Sequence, residues 1–175
     1  PDMLAEKKHV LLIADRNTAP LCADRVMHLL GEKTESFCLF VEDSLLVPDE
    51  TAIAEVEKYL TAQTDFILGI GSGVINDICK YVSFYHNLTC GIIATAPSMD
   101  GYASKGAAML LRNMKITTNA NVPAAIIADT EVLKDAMDHP EKYPDLVVRV
   151  SGFSAIYVTL AREVQQDILA RTQQE

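Results

Sequence analysis

The fold is decided by residues 66–77, Phe-Ile-Leu-Gly-Ile-Gly-Ser-Gly-Val-Ile-Asn-Asp. An apolar run typical of a buried strand is followed at once by a Gly-Ser-Gly turn and a helical pattern that continues to about Phe84. Glycines let the backbone approach a ligand, and a helix N-terminus offers unpaired N–H groups and the positive end of a dipole. The spacing Gly71-x-Gly73-x-x-x-Asp77 differs from the usual G-x-G-x-x-G fingerprint. The stretch predicts phosphate or nucleotide binding, with a plain tight turn as the alternative.

On both sides of this stretch, apolar runs alternate with amphipathic helical patterns. Strands are predicted at 9–15, 36–41, 66–70, 91–94 and 125–128, and a hairpin at 107–111 and 115–118. Helices are predicted at 19–30, 49–61, from the Gly-Ser-Gly turn to 84, and at 130–136. This alternation predicts an α/β fold with a doubly wound, mostly parallel sheet. After residue 136 a Pro-punctuated loop begins a short strand-loop-helix appendage, with strands expected at 146–150 and 155–160 and a helix at 161–172.

Length and charge exclude several classes of function. The 175 residues suit one domain, or one domain with an appendage. A net charge of −9 argues against binding to nucleic acid or to an anionic membrane surface. No apolar run approaches the roughly 20 residues that span a bilayer, and the first residues lack the apolar core of a signal peptide. We therefore expect a cytoplasmic protein that binds neither nucleic acid nor membrane.

The spacing of cysteine and histidine gives no metal motif. The cysteines are Cys22, Cys38, Cys79 and Cys90, and the histidines are His9, His28, His86 and His139. No C-x-x-C pair occurs, and no two histidines have the spacing that places both imidazoles on one helix face. We expect reduced thiols and no metal site within the chain.

A second candidate site is the loop at 95–104, Thr-Ala-Pro-Ser-Met-Asp-Gly-Tyr-Ala-Ser, which follows the fourth predicted strand. It brings three hydroxyl groups, a carboxylate and a glycine to the carboxyl end of that strand. Open α/β sheets bind ligands at this edge, so the loop is expected to contribute to the same site as the Gly-Ser-Gly turn. A polar surface loop is the alternative interpretation.

Five runs of residues carry a resemblance to a known family. They are VLLIADRNT, LLVPDE, GIGSGVINDICKYVSF, TAPSMDGYASKGAAM and PAAIIADTEVLKDA, spread over about residues 9–136. These runs resemble the N-terminal half of the sn-glycerol-1-phosphate dehydrogenases, in the iron-containing alcohol dehydrogenase and dehydroquinate synthase-like group. The resemblance implies a Rossmann-like dinucleotide-binding domain at 1–136, with NAD or NADP as cofactor and a polyol phosphate as substrate of the intact enzyme.

The resemblance also implies roles for individual residues. The pyrophosphate would be held by Gly71, Gly73, Val74, Ile75, Asn76 and Asp77. Thr95, Ser98 and Ser104 would line the nicotinamide side, and Asp100 would touch the polyol phosphate. In the family a helical second domain supplies an Asp and two His to zinc or iron, but Val147 stands roughly where the acidic ligand would fall. We therefore expect weak NAD(P) binding without catalytic competence.

The tail carries a different resemblance. From Leu133, the run LKDAMDHPEKYPDLVVRVSGFSAIYVTLAREVQQDILARTQQE resembles the C-terminal domain of glycyl radical enzymes of the glycerol or diol dehydratase, choline lyase and pyruvate formate-lyase types. Gly152 would carry the radical, because an α-carbon without Cβ can flatten and delocalise the unpaired electron. The partner implied is a radical S-adenosylmethionine activating enzyme. On spacing alone, Ser151-Gly152 is just a turn.

The two resemblances meet in Leu133-Lys134-Asp135-Ala136, and we interpret the chain as an apparent chimera with domains at 1–136 and 137–175. A natural gene fusion, an artificial joining and an error of sequence assembly all fit. Three functions stay open: a partial NAD(P)-binding domain, a glycyl radical accessory piece that acts with a partner lyase or dehydratase, and no native function. A homo-oligomer is also possible on the sequence.

Overall fold

The computed structural model describes residues 6–42, 45–96, 99, 101–128, 130–144, 146–150 and 153–172. The first half contains β1 (Val10–Asp15), α1 (Ala19–Leu30), β2 (Thr34–Phe40), α2 (Glu50–Glu57), β3 (Phe66–Gly71), α3 (Gly73–Tyr85) and β4 (Thr89–Ala94). The second half contains β5 (Gly106–Leu111), β6 (Met114–Asn119), β7 (Ala125–Ala128), α4 (Glu131–Asp138), β8 (Val147–Val150), β9 (Phe153–Ile156) and α5 (Arg162–Thr172). Strands and helices alternate through α4, interrupted by the β5–β6 hairpin.

The central sheet has the strand order β2-β1-β3-β4-β7, and all of its pairings are parallel. Side chains of β1 alternate between its two faces: Leu11 and Ile13 pack with α2 and α3, whereas Val10 and Leu12 pack with α1. Burial on both faces explains why β1 is an uninterrupted apolar run. The predicted doubly wound, mostly parallel α/β fold is confirmed, and the carboxyl ends of its strands share one edge.

Helix α2 is shorter than the predicted helix at 49–61. It begins where Asp49 caps it, with the Asp49 carboxylate accepting from the backbone N–H of Ala52 at 2.9 Å. It ends at Glu57, and the chain then turns so that the N–H of Thr61 donates to the Thr64 hydroxyl at 3.0 Å. The helical periodicity continued in the sequence, but this local turn ends the helix a full turn early.

The predicted hairpin is confirmed as β5–β6, with Leu111 opposite Met114. The two residues between them, Arg112 and Asn113, have φ angles of 52° and 59°. Two consecutive residues in the left-handed region are typical of the tight turns whose twist matches that of paired strands.

The tail packs against α4 in a small core of its own. Leu133 and Ala136 of α4 are buried together with Val148, Tyr157 and Ile168. The expected strand at 155–160 is wrong beyond Ile156, because Tyr157–Thr159 form a 3₁₀ turn. Tyr157 donates its hydroxyl to the backbone oxygen of Gln165, whose side-chain amide donates back to the Tyr157 carbonyl. The division after residue 136 stays a prediction, but α4 lies with the tail. None of the helices in the described residues is long and apolar enough to cross a membrane.

Candidate functional site

Three loops meet at the carboxyl end of β3. The Thr18 hydroxyl, in the loop after β1, donates to the carbonyl oxygen of Ile70 at 2.7 Å. On the other side, the N–H of Thr95, just after β4, donates to the carbonyl oxygen of Gly71 at 3.1 Å. Because parallel strands end at one edge, these bonds fix the loops after β1 and β4 on either side of the Gly-Ser-Gly turn. This is the edge at which the sequence predicts a ligand.

The N-terminus of α3 is open. Ser72 is its N-cap residue but makes no side-chain capping bond, and the first N–H bonded within the helix is that of Asn76, to the Ser72 carbonyl oxygen at 3.0 Å. The N–H groups of Gly73, Val74 and Ile75 therefore have no acceptor within the helix. No acceptor for these three N–H groups lies among the described residues, and such donors at the positive end of a 13-residue helix favour an anion.

The two glycines of the turn differ in their surroundings. A Cβ added at Gly71 would lie 2.5 Å from Cγ1 and 2.6 Å from Cβ of Ile75. Among the described residues, a Cβ at Gly73 would lie close only to the flexible end of Met99, 2.9 Å from its Cε. Gly71 is thus required by packing, whereas Gly73 leaves room in front of the helix N-terminus.

The first turn of α3 mixes core residues with an unpaired polar group. Ile75 is buried in the main core and Val74 packs against it, so only the backbone of either could reach a ligand. Asn76 is 2% exposed, and its buried Oδ1 has no hydrogen-bond partner among the described residues. A buried acceptor without a partner is costly, and it fits a site whose remaining donor is absent from the chain itself.

Asp77 and Lys80 form an ion pair one turn further along α3, with Oδ1 and Nζ 3.9 Å apart. Burial raises the pKa of Asp77 to about 6, although Lys80 and a hydrogen bond from the N–H of Ala108 oppose this shift. Burial also lowers the pKa of Lys80, against the attraction of Asp77. Desolvation outweighs the attraction between the two charges in both shifts.

The predicted site residues Thr95 and Ser104 lie at opposite ends of the loop that follows β4. Thr95 is half-buried beside Gly71, as described above. The Ser104 hydroxyl accepts from Lys80 Nζ at 2.9 Å and lies 3.0 Å from the carbonyl oxygens of Gly101 and Gly106. The structure thus brings Thr95 to the α3 N-terminus and turns the Ser104 hydroxyl towards Lys80.

Tyr102 anchors the middle of this loop. Its side chain is 7% exposed within the main core, and its hydroxyl donates to the carbonyl oxygen of Ala96 at 3.2 Å, with that of Gly71 at 3.5 Å. Burial raises the pKa of the Tyr102 hydroxyl to about 12, so it stays a neutral donor. The anchor holds the loop against the Gly-Ser-Gly turn.

Three predicted site residues, Ser98, Asp100 and Gly152, lie outside the described residues. Val147, at the approximate position of the family's acidic ligand, is a 57% exposed residue of β8. Within the described part of the chain, no group of three or more His, Cys, Asp or Glu side chains could hold a metal ion. The described residues therefore do not fit a resident metal.

Sequence reasoning missed Thr18 and Lys80. Thr18 follows Asp15, whose carboxylate accepts from the N–H groups of Asn17 and Thr18 at 2.8 and 2.9 Å, the pattern of an Asx turn. The string Asp-Arg-Asn-Thr after a predicted strand carried that signal. Lys80 had no comparable signal, because a lysine on a predicted helix is normally exposed.

Comparison with known proteins shows the family to which most of the chain belongs. A profile of the family described as iron-containing alcohol dehydrogenase matches residues 2–136. Glycerol-1-phosphate dehydrogenase (NAD(P)+) of Bacillus subtilis (strain 168) is 32% identical over 133 residues, covering 74% of this chain and 34% of that protein. The enzyme of the same name from Metallosphaera sedula is 35% identical over 127 residues, covering 73% of this chain and 35% of that protein. The chain spans about a third of the length of these relatives.

Solved structures show the same fold. Glycerol dehydrogenase from Schizosaccharomyces pombe superposes on 72% of this chain and 32% of its own, with a TM-score of 0.56 and 22% identity. An iron-containing alcohol dehydrogenase gives a TM-score of 0.60 at 18% identity, covering 73% of this chain and 42% of its own. 2-Deoxy-scyllo-inosose synthase gives 0.63 at 13% identity, covering 96% of this chain and 54% of its own.

Proposed function

Because the chain belongs to the iron-containing alcohol dehydrogenase family over residues 2–136, we propose that it binds NAD(H) or NADP(H) at the carboxyl edge of its sheet. A full-length protein that contains such a region would be a polyol-phosphate dehydrogenase of the glycerol-1-phosphate type. The observation that carries the proposal is the open N-terminus of α3, where the N–H groups of Gly73, Val74 and Ile75 have no acceptor among the described residues. Those groups suit a pyrophosphate.

In this proposal the backbone does most of the binding. The N–H groups of Gly73, Val74 and Ile75 donate to pyrophosphate oxygens, and the absence of a side chain at Gly73 allows the close approach. Gly71 acts indirectly, because its lack of a Cβ lets Ile75 pack and so fixes the direction of α3. Asn76 would donate through its side-chain NH₂, because its Oδ1 is an acceptor and cannot bond to a phosphate oxygen. Asp77 would repel a pyrophosphate when ionised, and Lys80 offsets that repulsion from 3.9 Å.

The loop after β4 forms the other half of the proposed site. Thr95 and Ser98 would face the nicotinamide, and Ser104 would shape the loop behind them. Asp100 would accept hydrogen bonds from the hydroxyls of a polyol phosphate. The bound cofactor would supply hydride chemistry; the residues of this chain would orient it and keep its ring next to the loop.

For these 175 residues by themselves we propose cofactor binding without dehydrogenase turnover. The described residues offer no metal-binding group to polarise an alcohol oxygen. The chain spans 34% of the length of its Bacillus subtilis relative, so the activity of that enzyme comes to this chain only as a proposal. A cofactor contacted by one wall of a cleft leaves much of its surface in water, so the affinity should be weak.

Calorimetric titration with NADH and NADPH tests the proposal. We expect saturable binding of at least one of them, and its loss in Gly73→Val, which fills the space before the helix N-terminus. A parallel assay follows oxidation of glycerol 1-phosphate with added zinc. Absence of binding to both nucleotides by a folded sample would refute the proposed site, and robust zinc-dependent turnover would refute the proposed lack of activity.

A radical role for the tail is a separate proposal that rests on the sequence resemblance. The residues on either side of Ser151-Gly152 pair with each other, Val150 opposite Phe153 in the β8–β9 hairpin. In this proposal a radical S-adenosylmethionine activating enzyme abstracts a hydrogen atom from the Gly152 α-carbon, and a partner lyase or dehydratase uses the radical. The absence of any native function for the joined chain stays a third hypothesis.

A further inference from the structure

The side chain of Lys80 is completely buried, and each N–H of its ammonium group has an acceptor. Its Nζ donates to the Ser104 hydroxyl at 2.9 Å and to the carbonyl oxygen of Gly106 at 2.5 Å. The third acceptor is the carbonyl oxygen of Gly101, at 3.4 Å. An ammonium group has three N–H donors, so each has one acceptor and none is left for a ligand.

All three acceptors belong to one short segment, 101–106, which is 21 to 26 residues further along the chain than Lys80. The segment is the second half of the loop that follows β4, together with Gly106, the first residue of β5. Its first half is held to the Gly-Ser-Gly turn by the bond from the Thr95 N–H to Gly71 and by the Tyr102 hydroxyl. Helix α3 therefore carries the anion site on its first turn and a clamp for the neighbouring loop two turns later.

Lys80 is also linked, through its ion pair with Asp77, to the β5–β6 hairpin. Asp77, one turn before Lys80, lies 3.9 Å from Lys80 Nζ and faces the backbone N–H of Ala108 in β5, which lowers the pKa of Asp77. The charged pair thus connects α3 to the loop through Lys80 and to β5 through Asp77. A buried charge is tolerated only where such partners compensate it, so the pair specifies one position of the loop relative to α3.

We propose that Lys80 is a positioning residue for cofactor binding: it fixes segment 101–106 so that the loop after β4 stays against the nicotinamide half of a dinucleotide held at the α3 N-terminus. The inference rests on the proposed function and deepens it. Lys80 touches neither half of the cofactor. Its loss should leave the pyrophosphate donors of Gly73, Val74 and Ile75 in place while the loop moves away from the nicotinamide.

The test compares two ligands. NADH contains the nicotinamide ring, whereas ADP-ribose keeps the adenosine, both phosphates and the second ribose. We expect Lys80→Met to lower NADH affinity about tenfold, the equivalent of about 1.4 kcal/mol, while ADP-ribose affinity changes less than about twofold. Ser83→Ala is the matched control, because the Ser83 hydroxyl donates to the carbonyl oxygen of Lys80 at 3.0 Å and is buried on the same helix. The control should lower thermal stability without changing the ratio of the two affinities.

Hydrogen exchange gives a second readout that needs no ligand. In Lys80→Met, amides of 101–106 should lose protection while those of β3 and β4 keep it. If Lys80→Met does not fold, Ser104→Ala is used in its place. Ser104 is exposed, so its substitution should not prevent folding, and it removes one of the three hydrogen bonds of Lys80. The same loss of protection at 101–106, smaller in size, is expected there.

The outcomes separate the inference from the proposed function. Binding of neither ligand by the wild-type chain would refute the proposed function and, with it, the inference. A wild-type chain that binds both, with an unchanged affinity ratio in Lys80→Met, would refute the inference alone. Equal losses for NADH and ADP-ribose would assign Lys80 a purely structural role and would also overturn it.

Discussion

Substitution by alanine should lower stability at Gly71 of the Gly-Ser-Gly turn and NADH affinity at Gly73. In Gly71→Ala the new Cβ meets Ile75 at 2.5 and 2.6 Å, against an ordinary carbon–carbon contact of about 3.5–4.0 Å. Ile75 is 1% exposed and its branched Cβ cannot rotate away, so α3 must shift by about 1 Å. Overpacking of this kind costs about 1–3 kcal/mol, and 2 kcal/mol corresponds to a Tm lower by about 4–8 °C.

In Gly73→Ala the new Cβ meets only the movable end of Met99 among the described residues. The substitution also restricts the unfolded chain, which stabilises by about 0.4–1 kcal/mol, so the free energy of unfolding should change by less than about 1 kcal/mol. The methyl group nevertheless stands before the N–H groups of the first turn of α3, and NADH affinity should fall at least about tenfold. Thermal unfolding and calorimetry on both variants measure these effects. Equal stability losses, or undiminished NADH binding by Gly73→Ala, would refute the assignment of separate roles.

Three further predictions concern pH, the tail and the radical hypothesis. The folded pKa of Asp77, about 6, lies above its ordinary 3.8, so the folded state binds the extra proton and its stability falls as pH rises from about 4 to 6. The wild type should lose about 2–3 kcal/mol relative to Asp77→Asn over that range in urea unfolding. Ile168→Ala should lower the free energy of unfolding of the tail core by about 2–4 kcal/mol while NADH affinity stays unchanged; a fall in affinity would contradict the separation of tail and site. Anaerobic incubation with a radical S-adenosylmethionine activating enzyme should give an electron paramagnetic resonance doublet that is absent from Gly152→Ala, and no doublet would remove the radical hypothesis.

The sequence predicted the sheet well because the relevant signals are local. A strand such as β1, buried on both faces, must be an apolar run, and the turn at Gly71 must follow a strand to open a helix. The β5–β6 hairpin was also predictable, because two short strand-like runs lie on either side of Arg112 and Asn113. The ends of helices were harder to predict from the sequence. The end of α2, for example, depends on hydrogen bonds around Thr64 that compete with the helix.

The parts of the site that were missed depend on contacts between distant residues. Lys80 is buried because segment 101–106 folds over it, and nothing within a few residues of Lys80 indicates those acceptors. The packing of α4 against the tail has the same origin, because Leu133 meets Tyr157 and Ile168 across a long separation in sequence. The local sequence pattern determines where helices and strands form, whereas contacts between distant residues determine which polar groups become buried.

Amide chemical shifts during titration with NADH test the central claim most directly. The account predicts that the largest shifts fall on the N–H groups of Gly73, Val74 and Ile75, with a second set in the loop from Thr95 to Ser104. Amides of α5, at the far end of the chain, should stay unchanged and serve as the internal control. Shifts absent from the α3 N-terminus, or concentrated in the tail, would contradict the claim that this edge of the sheet binds a dinucleotide.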